Sequence, residues 1–373
     1  MKTNLYYLHE ELPIHFDRAL YVFNADFFTT LSIKTNRFFY LARYLYSEKH
    51  NCIMAKILVT GGSGFIGTNL VAYLSSKNNE VLNYDICKPR NQSFLKNWIK
   101  GDILNREELL SCFNDFNPEY VIHFAARTDL DETKSLEGYA ANIAGVDNVV
   151  SIINTFPGIK RTIYASSRMV CRIDYVPSSF DDYCPPNLYG ESKVIGEKIV
   201  NEKANHDYVI VRPTSIWGPY FEIPYRTFFD TVRKKMFFIP KEHYPQKSFG
   251  FVYNTVFQIE KILFAPKETV EQNYYLSDYP ALDLKEWADM VSMEFNNNKT
   301  KVIPMLPLKA TAKVGDLLQK MGWKNPPLTT FRLNNLITNM VYDTQTLEKL
   351  CGKLPYDLKE CVTITTDWMK KTK

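Results

Sequence analysis

Two residues in the segment "NLYGESKVIGE" (187–197) could perform acid–base chemistry together. Tyr189 and Lys193 are four residues apart in a helical pattern, so they share one face of the helix. An ammonium beside a phenol favours the phenolate and lowers the Tyr pKa from about 10 toward neutrality. Such a phenolate can take a proton from a substrate hydroxyl while a hydride leaves the same carbon. A solvated helix pair would show the same spacing, so this interpretation depends on the surrounding motifs.

A pair of serines upstream of this helix supplies a second polar group for the same chemistry. The segment "YASSRMV" (164–170) ends a predicted strand with Ser166 and Ser167. These residues would lie at the carboxyl edge of a parallel sheet, which is the edge where open α/β sheets bind ligands. We predict that the Ser167 hydroxyl donates a hydrogen bond to the reacting oxygen beside Tyr189.

Three glycines in "KILVTGGSGFIGTNLV" (56–71) indicate where a dinucleotide binds. A phosphate at a helix N-terminus meets unpaired N–H groups and the positive end of the helix dipole. The backbone must turn tightly and approach the ligand closely, and a side chain at either place would block this. We expect Gly61 to make the turn, Gly64 to lie under the pyrophosphate, and Gly67 to let helix and strand pack closely.

Two acidic residues after the glycine turn predict contacts to the adenosine half of the dinucleotide. Asp85 ends the second predicted strand, 18 residues after Gly67. Its carboxylate can accept hydrogen bonds from both ribose hydroxyls and would repel a 2′-phosphate, which favours NAD over NADP. Lys88 and Arg90 follow closely and weaken that preference slightly. Asp102 in "KGDILN" is a candidate contact to the adenine amine, and a simple helix N-cap is the alternative.

The elements that position these residues alternate between strand and helix from residue 56 to about 213. The predicted strands are 56–60, 80–85, 120–126, 161–167 and 208–213. The predicted helices lie near 65–77, 105–115, 133–155 and 187–204. This alternation predicts β-α-β units and a doubly wound parallel α/β sheet.

After residue 213 the alternation weakens and prolines become more frequent. We therefore predict a dinucleotide-binding domain at 54–213 and a smaller mixed α/β lobe at 214–373 that binds the substrate. Helices of this lobe are expected near 284–296, 309–321 and 357–370. Some of its strands and helices are expected to return to the sheet.

The first 53 residues differ in composition from the rest of the chain. All 15 glycines lie after them, while twelve of the 48 Phe and Tyr residues lie within them. Met54 then directly precedes a predicted strand. Three interpretations stay open: a helical extension packed on the main domain, an interaction arm, and upstream sequence joined by a wrongly chosen start codon. No catalytic role is expected for residues 1–53.

Composition excludes several classes of protein. The 373 residues are 45% hydrophobic and 23% charged, which is ordinary for a globular protein. A net charge of +4 without a dense basic run gives no reason to expect a nucleic acid partner. Seven scattered cysteines without a C-x-x-C pair favour a reducing cytoplasm over disulfides or a metal site. No apolar run approaches the roughly 20 residues of a membrane span, and no secretory signal is visible.

In their order along the chain, these motifs resemble the extended short-chain dehydrogenase/reductase superfamily, in its NAD-dependent epimerase/dehydratase branch. The resemblance covers about residues 54–370 and implies a Rossmann-type sheet with NAD as cofactor. It implies that "TGGSGFIG" (60–67) is the phosphate loop, with Phe65 and Ile66 as backbone contacts. The family's catalytic Ser, its Tyr base and the Lys that also reaches the nicotinamide ribose correspond to Ser167, Tyr189 and Lys193.

The resemblance also implies roles for residues between and after these motifs. In "HFAA" (123–126), Ala125 and Ala126 would be small so that NAD can lie flat against them, and His123 would be a buried strand residue without a catalytic role. Asn142 would order the active site. The segment "VRPTSIWGP" (211–219) is similar to the family's strand and loop where cofactor and substrate meet.

The chain departs from the family pattern where the substrate is expected. Ser215 stands where the family often has Asn, and Lys247 stands where an Arg usually grips a sugar-nucleotide diphosphate. Lysine is a point charge without the planar fork of arginine. Arg127 and Arg226 are further candidate phosphate contacts, for which surface ion pairs are the alternative. Arg168, with Met169 after it, replaces the acidic pair that a 4,6-dehydratase of this family uses, which argues against that reaction.

The expected function is an NAD-dependent epimerase or dehydrogenase acting on a sugar hydroxyl of a nucleotide-sugar, in synthesis of surface polysaccharide. The first alternative is a dehydrogenase or reductase, using NAD or NADP, on a non-nucleotide substrate such as a sterol or small alcohol. A non-catalytic NAD-binding regulator is the second alternative, which the presence of both Tyr189 and Lys193 disfavours. The resemblance also implies a homodimer formed through two helices of the nucleotide-binding domain.

Overall fold

The computed structural model describes residues 55–372, except for 131, 133, 224, 242, 243, 324, 325 and 327. The predicted N-terminal extension therefore lies outside the described residues. The strands are β1 (Lys56–Thr60), β2 (Glu80–Asp85), β3 (Trp98–Lys100), β4 (Tyr120–His123), β5 (Arg161–Ala165), β6 (Tyr208–Pro213), β7 (Ser215–Trp217), β8 (Phe238–Pro240), β9 (Gln246–Lys247), β10 (Phe249–Phe251), β11 (Asn273–Leu276), β12 (Leu282–Asp283) and β13 (Lys301–Ile303).

Helices connect these strands. They are α1 (Phe65–Ser76), α2 (Arg106–Phe116), α3 (Ala140–Ile153), α4 (Leu188–Lys203), α5 (Tyr225–Arg233), α6 (Val252–Phe264), α7 (Leu284–Asn296), α8 (Met305–Lys320), α9 (Thr330–Ile337), α10 (Gln345–Cys351) and α11 (Leu358–Lys371). Short 3-10 turns occupy Gln92–Asn97, Leu136–Tyr139, Arg168–Val170 and Lys267–Thr269.

The largest sheet has seven parallel strands in the spatial order β11-β6-β5-β4-β1-β2-β3. Apolar residues of β1 point alternately to the two faces, because successive side chains in a strand alternate. Ile57 and Val59 pack with Leu70 of α1, whereas Leu58 packs with Val149 of α3. Helices thus cover both faces, which confirms the predicted doubly wound α/β sheet.

Strand order reverses between the neighbouring strands β1 and β4. The connection after β1 leads to β2 on one side of this pair, and the connection after β4 leads to β5 on the other side. In open α/β sheets, such a reversal opens a crevice at the carboxyl ends of the strands. The loops that follow β1 and β4 begin at Gly61 and Phe124, and they meet at this crevice.

Elements after residue 213 contribute to this sheet and to a second core. Strand β11 pairs with β6, and α6 packs on the same face of the sheet as α1. The second core is aromatic, and its buried members include Trp217, Phe229, Phe251 and Trp287.

Two predicted strands and one predicted helix are longer than the observed elements. The strands predicted at 120–126 and 161–167 end at His123 and Ala165, and the helix predicted at 133–155 begins at Ala140. The residues beyond each strand end are apolar or small, so their composition resembles that of the strand. They leave the ladder because the chain must turn over the carboxyl edge to reach the next helix.

The described residues hold six cysteines, all without a disulfide, and no group of His, Cys, Asp or Glu arranged to hold a metal ion. Within the same residues, no helix is both long and apolar enough to cross a bilayer.

Candidate active site and cofactor cleft

The turn after β1 requires glycine at two positions. Gly61 has a φ of +76°, and a Cβ there would lie 2.4 Å from the backbone N of Ala125. A Cβ on Gly67 would lie 2.2 Å from the carbonyl O of Gly61. Both distances are far shorter than a real Cβ contact, so the turn, the loop after β4 and α1 can meet only if these residues lack side chains.

The N-terminus of α1 is suited to bind an anion. Gly64 is its N-cap, no side chain caps it, and its first turn has no acidic residue. The amides of Phe65 and Ile66 belong to this first turn, whose N–H groups have no partner within the helix. A Cβ on Gly64 would meet only the Gly61 carbonyl O, at 3.2 Å, so the protein leaves space beside the backbone. This arrangement fits the pyrophosphate of a dinucleotide.

The carboxylate of Asp85 is held beside this turn. Its Oδ2 accepts a hydrogen bond from the Ser63 backbone N at 2.9 Å, and its Oδ1 accepts one from the Cys87 N at 2.8 Å. Arg90 donates two hydrogen bonds to the Glu222 carboxylate, at 2.7 and 3.1 Å. The guanidinium of Arg90 is therefore engaged with an acidic partner, which supports the preference for NAD over NADP.

We expect replacement of Asp85 by Ser to narrow the preference for NAD over NADP by roughly tenfold or more, because a charged hydrogen-bond acceptor is lost. The measurement is the ratio of dissociation constants for the two dinucleotides. Replacing Asp115, which lies on α2, by Ser is a control and should leave the ratio unchanged. An unchanged ratio in the Asp85 variant would place the discrimination elsewhere.

Asp102 is exposed, and its Oδ1 accepts a hydrogen bond from the Leu104 N at 2.9 Å. The N-cap of α2 is Asn105, whose side chain accepts from the Glu108 N. The alternative interpretation of Asp102 as a helix N-cap is therefore wrong, and its contact to the adenine amine stays a prediction.

Asn142 joins the loop after β4 to the helix that carries Tyr189. It is fully buried, its Oδ1 accepts from the Arg127 N at 2.8 Å, and its Nδ2 donates to the Arg127 O at 3.0 Å. The same Nδ2 donates to Ser192 Oγ at 2.9 Å, and that hydroxyl donates to the Tyr189 carbonyl. Asn142 thereby links the backbone at Arg127, directly after Ala125 and Ala126, to the first turn of α4.

The first turn of α4 packs closely on the 3-10 turn that follows Ser167. A Cβ on Gly190 would lie 2.3 Å from the Met169 carbonyl O, so the glycine after Tyr189 allows this approach. Ser167 Oγ caps the 3-10 turn by accepting from the Met169 N at 3.1 Å. Gly190 stands inside the Tyr/Lys motif, and its spacing from Tyr189 is the signal that would have identified it.

Ser167, Tyr189 and Lys193 lie together and are all buried, at 8%, 8% and 6% exposure. Burial raises the pKa of Tyr189 to about 12, while a hydrogen bond with Ser167 and the charge of Arg168 act in the opposite direction. Burial also lowers the pKa of Lys193 to about 8. The Lys193 ammonium donates to the Ala165 carbonyl at 2.9 Å. The predicted lowering of the Tyr189 pKa is therefore wrong for the protein by itself, because desolvation of the phenol outweighs the nearby charges.

His123 is a buried strand residue, as expected. It is 2% exposed, and its Nδ1 lies 2.7 Å from Thr60 Oγ1. Burial lowers its pKa to about 3, with the charge of Lys193 acting in the same direction.

A buried ion pair lies one helical turn beyond Lys193, and no short sequence pattern indicates it. Arg212 of β6 donates to both carboxylate oxygens of Glu197, at 2.8 and 2.6 Å. The two side chains are 0% and 2% exposed. The guanidinium also packs over the rings of Phe180 and Tyr275. Glu197 lies one turn after Lys193, so this pair fixes α4 to the sheet.

The predicted substrate residues have varied surroundings. Arg127 forms an ion pair with Asp129 at 2.8 Å, and Arg226 forms one with Asp230 at 3.5 Å. These contacts agree with the alternative prediction that both arginines form surface ion pairs. The Lys247 ammonium donates to the carbonyls of Asn335 and Thr338 at the end of α9. Ser215 is buried in β7. Substrate contacts by these four residues stay predictions.

Comparison with known proteins assigns this chain to a family. The model of the NAD dependent epimerase/dehydratase family matches residues 57–239. A UDP-glucose 4-epimerase of Klebsiella pneumoniae is 33% identical over 139 residues, which are 33% of this chain and 99% of that protein.

The chain belongs to the NAD-dependent epimerase/dehydratase family. The family's cofactor is NAD, as the glycine turn and Asp85 predict. A 3-beta-hydroxysteroid dehydrogenase of Mycolicibacterium neoaurum is 28% identical over 194 residues, 48% of this chain and 52% of that enzyme. The chain thus spans about half the length of that relative.

The family fold extends over most of the chain. The Bordetella bronchiseptica enzyme WbmG, solved in complex with NAD and UDP, has a TM-score of 0.64 and 22% identity. The match covers 85% of this chain and 94% of that one. In the chain described here, the predicted cofactor turn lies at the same edge of the sheet as the cluster of Ser167, Tyr189 and Lys193.

Proposed function

We propose that the chain is an NAD-dependent epimerase or dehydrogenase that acts on a sugar hydroxyl of a nucleotide-sugar. The observation that carries this proposal is the buried cluster of Ser167, Tyr189 and Lys193 at the carboxyl edge of the sheet. A phenol and a hydroxyl at that edge can together hold the oxygen of an alcohol. Similarity to a UDP-glucose 4-epimerase supports the nucleotide-sugar as substrate.

In the proposed reaction, Tyr189 takes the proton of the substrate hydroxyl and Ser167 orients that oxygen. NAD, when bound, supplies the hydride acceptor and a positively charged ring, which favours the phenolate form of a nearby phenol. Lys193 Nζ, held by the Ala165 carbonyl, is available to the cofactor ribose. Asn142 keeps the backbone of Ala125 to Arg127 and the Tyr189 turn in register.

Epimerisation or simple oxidation suits the site better than 4,6-dehydration. Dehydration needs an acidic group beside the serine to remove a hydroxyl from a neighbouring carbon. Here Ser167 is followed by Arg168 and Met169, which form the 3-10 turn with Val170. A guanidinium cannot act as a proton donor at neutral pH, because it does not deprotonate in proteins.

A dehydrogenase acting on a sterol-like alcohol is the second candidate function. Its support is the similarity to the 3-beta-hydroxysteroid dehydrogenase. The contacts of Lys247 also favour it, because this lysine is 3% exposed and its ammonium already donates to two carbonyls. Such an ammonium is a weaker partner for a diphosphate than the arginine that the family usually has.

Titration of the purified chain with UDP-, GDP- and dTDP-sugars and with a 3β-hydroxysterol separates the two candidates. We expect that a nucleotide-sugar binds and that it is converted in an NAD-dependent reaction. Chromatography of the sugar product measures this conversion. Conversion of the sterol without binding of any nucleotide-sugar would contradict the proposal and support the second candidate.

NAD that co-purifies with the protein separates epimerase from dehydrogenase. An epimerase returns the hydride to the same substrate molecule, so it has no need to release its cofactor between half-reactions. We expect NAD in heat-denatured extracts of the purified protein, together with turnover that requires no added NAD. Turnover that accumulates NADH in proportion to product would instead identify a dehydrogenase.

A further inference from the structure

Arg168 lies beside the candidate catalytic residues and has unused hydrogen-bonding capacity. It follows Ser167 directly and begins the 3-10 turn Arg168–Val170. Its Nε is buried and has no hydrogen-bond partner among the residues that the structure describes. None of the ion pairs formed among the described residues includes Arg168. In this respect it differs from Arg127 and Arg226, which both pair with aspartates.

A second cation is close to the guanidinium. Lys247 is 3% exposed, and burial lowers its pKa to about 8, with the charge of Arg168 acting in the same direction. Burial raises the pKa of Tyr342, while the charge of Arg168 and hydrogen bonding with it act in the opposite direction, so the phenol lies near this guanidinium. The backbone of Tyr342 is anchored beside Lys247, since its N donates to Ser248 Oγ at 3.0 Å. Ser166 adds another buried hydroxyl, which has no hydrogen-bond partner within the described part of the chain.

This combination of charges favours an anion. A buried N–H donor without an acceptor is destabilising, and more so when the donor is charged. Two neighbouring cations add mutual repulsion, which a bound anion would relieve. The planar guanidinium matches a carboxylate or phosphate with two parallel hydrogen bonds. Because Lys247 already donates to two carbonyls, Arg168 is the group that has donors to offer.

The position of Arg168 relative to Tyr189 distinguishes between possible anions. Arg168 follows Ser167 directly. Burial raises the pKa of Tyr189 and the charge of Arg168 opposes this, so the guanidinium lies near the phenol that would hold the reacting hydroxyl. For a hydroxyl on carbon 4 of a hexose, a carboxylate on carbon 5 is an adjacent substituent. The diphosphate is attached to carbon 1, across the ring from that hydroxyl.

We propose that Arg168 binds a carboxylate on the sugar that carries the reacting hydroxyl, so that the chain prefers a nucleotide-linked hexuronic acid to the neutral hexose. This inference rests on the proposed nucleotide-sugar function. Arg168 is then a specificity-determining residue, and Lys247 contributes to the positive field around the carboxylate.

The test compares binding of UDP-glucuronic acid, UDP-glucose and UDP to the full chain saturated with NAD, measured by titration calorimetry. The wild-type protein is expected to bind the uronic acid roughly tenfold to a hundredfold more tightly than the hexose. Arg168→Gln is expected to abolish this preference, and Arg168→Lys to keep part of it. Arg172→Gln is the control, because Arg172 is exposed and pairs with Asp174. It removes the same charge and should keep the full preference.

Three results would overturn the inference. Equal binding of the two sugars by the wild-type protein would leave the proposed function intact and refute the role of Arg168. An equal loss of affinity for UDP and both sugars in Arg168→Gln would assign Arg168 to the diphosphate. Failure of both UDP-sugars to bind the wild-type protein would overturn this inference, and the titrations with GDP- and dTDP-sugars then decide whether the proposed substrate class stands. The wild-type comparison tests the predicted preference even if Arg168→Gln does not fold, and Arg168→Lys then tests whether Arg168 produces it.

Discussion

Replacing Tyr189 by Phe is expected to lower kcat by roughly 10²- to 10⁴-fold, the usual contribution of a positioned acid–base group. The ring of Tyr189 packs near Tyr139, at 6.0 Å between centroids, and Phe keeps this packing. NAD binding and the melting temperature should therefore change little. The measurement is single-turnover conversion of the substrate with saturating NAD, together with NAD titration of the same preparation.

Tyr208→Phe is the matched control for this variant. It removes the same hydroxyl from a tyrosine at the start of β6, where that hydroxyl donates to Asn201 Oδ1 at 3.1 Å. The control should retain wild-type turnover. A Tyr189→Phe protein that also retains wild-type turnover would exclude Tyr189 as the base. A loss of NAD binding along with turnover would instead indicate a damaged cleft.

Replacing Glu197 by Gln is expected to lower the free energy of unfolding by roughly 3–5 kcal/mol, because it leaves the Arg212 charge buried without its counter-charge. Burial by itself lowers the pKa of Arg212, but the hydrogen bonds and charge of Glu197 outweigh it and raise that pKa. The guanidinium therefore stays charged in the fold. Urea denaturation followed by circular dichroism measures the change in stability.

Asp147→Asn serves as the control for Glu197→Gln. Asp147 pairs with Lys203, the last residue of α4, and both side chains are well exposed, at 38% and 51%. Exposed ion pairs contribute only about 0–1 kcal/mol, so this variant should unfold close to the wild-type midpoint. If Glu197→Gln were as mild as Asp147→Asn, the Arg212 charge would have to be satisfied by other groups.

Much of the candidate site could be predicted from the sequence because its signals are local. Each signal is a short sequence pattern: the three glycines of the turn, the acidic residue at the end of β2, and the four-residue spacing of Tyr189 and Lys193. Their roles follow from backbone geometry within one strand, turn or helix. The alternation of strand and helix predicted the doubly wound sheet for the same reason. Element ends were less accurate, because the residues past β4 and β5 are as apolar or small as the strands themselves.

Tertiary structure decided the electrostatics and the contacts between distant segments. Asn142 meets Ser192, Gly190 meets Met169, and Glu197 meets Arg212, although each pair is separated by many residues. Only folding removes water from Tyr189, and this desolvation reverses the pKa shift that its lysine neighbour predicts. By itself, the sequence determined which groups are present and in what order. The packing determined which of them are buried, paired or left with a free donor, because solvation and long-range contacts depend on the whole fold.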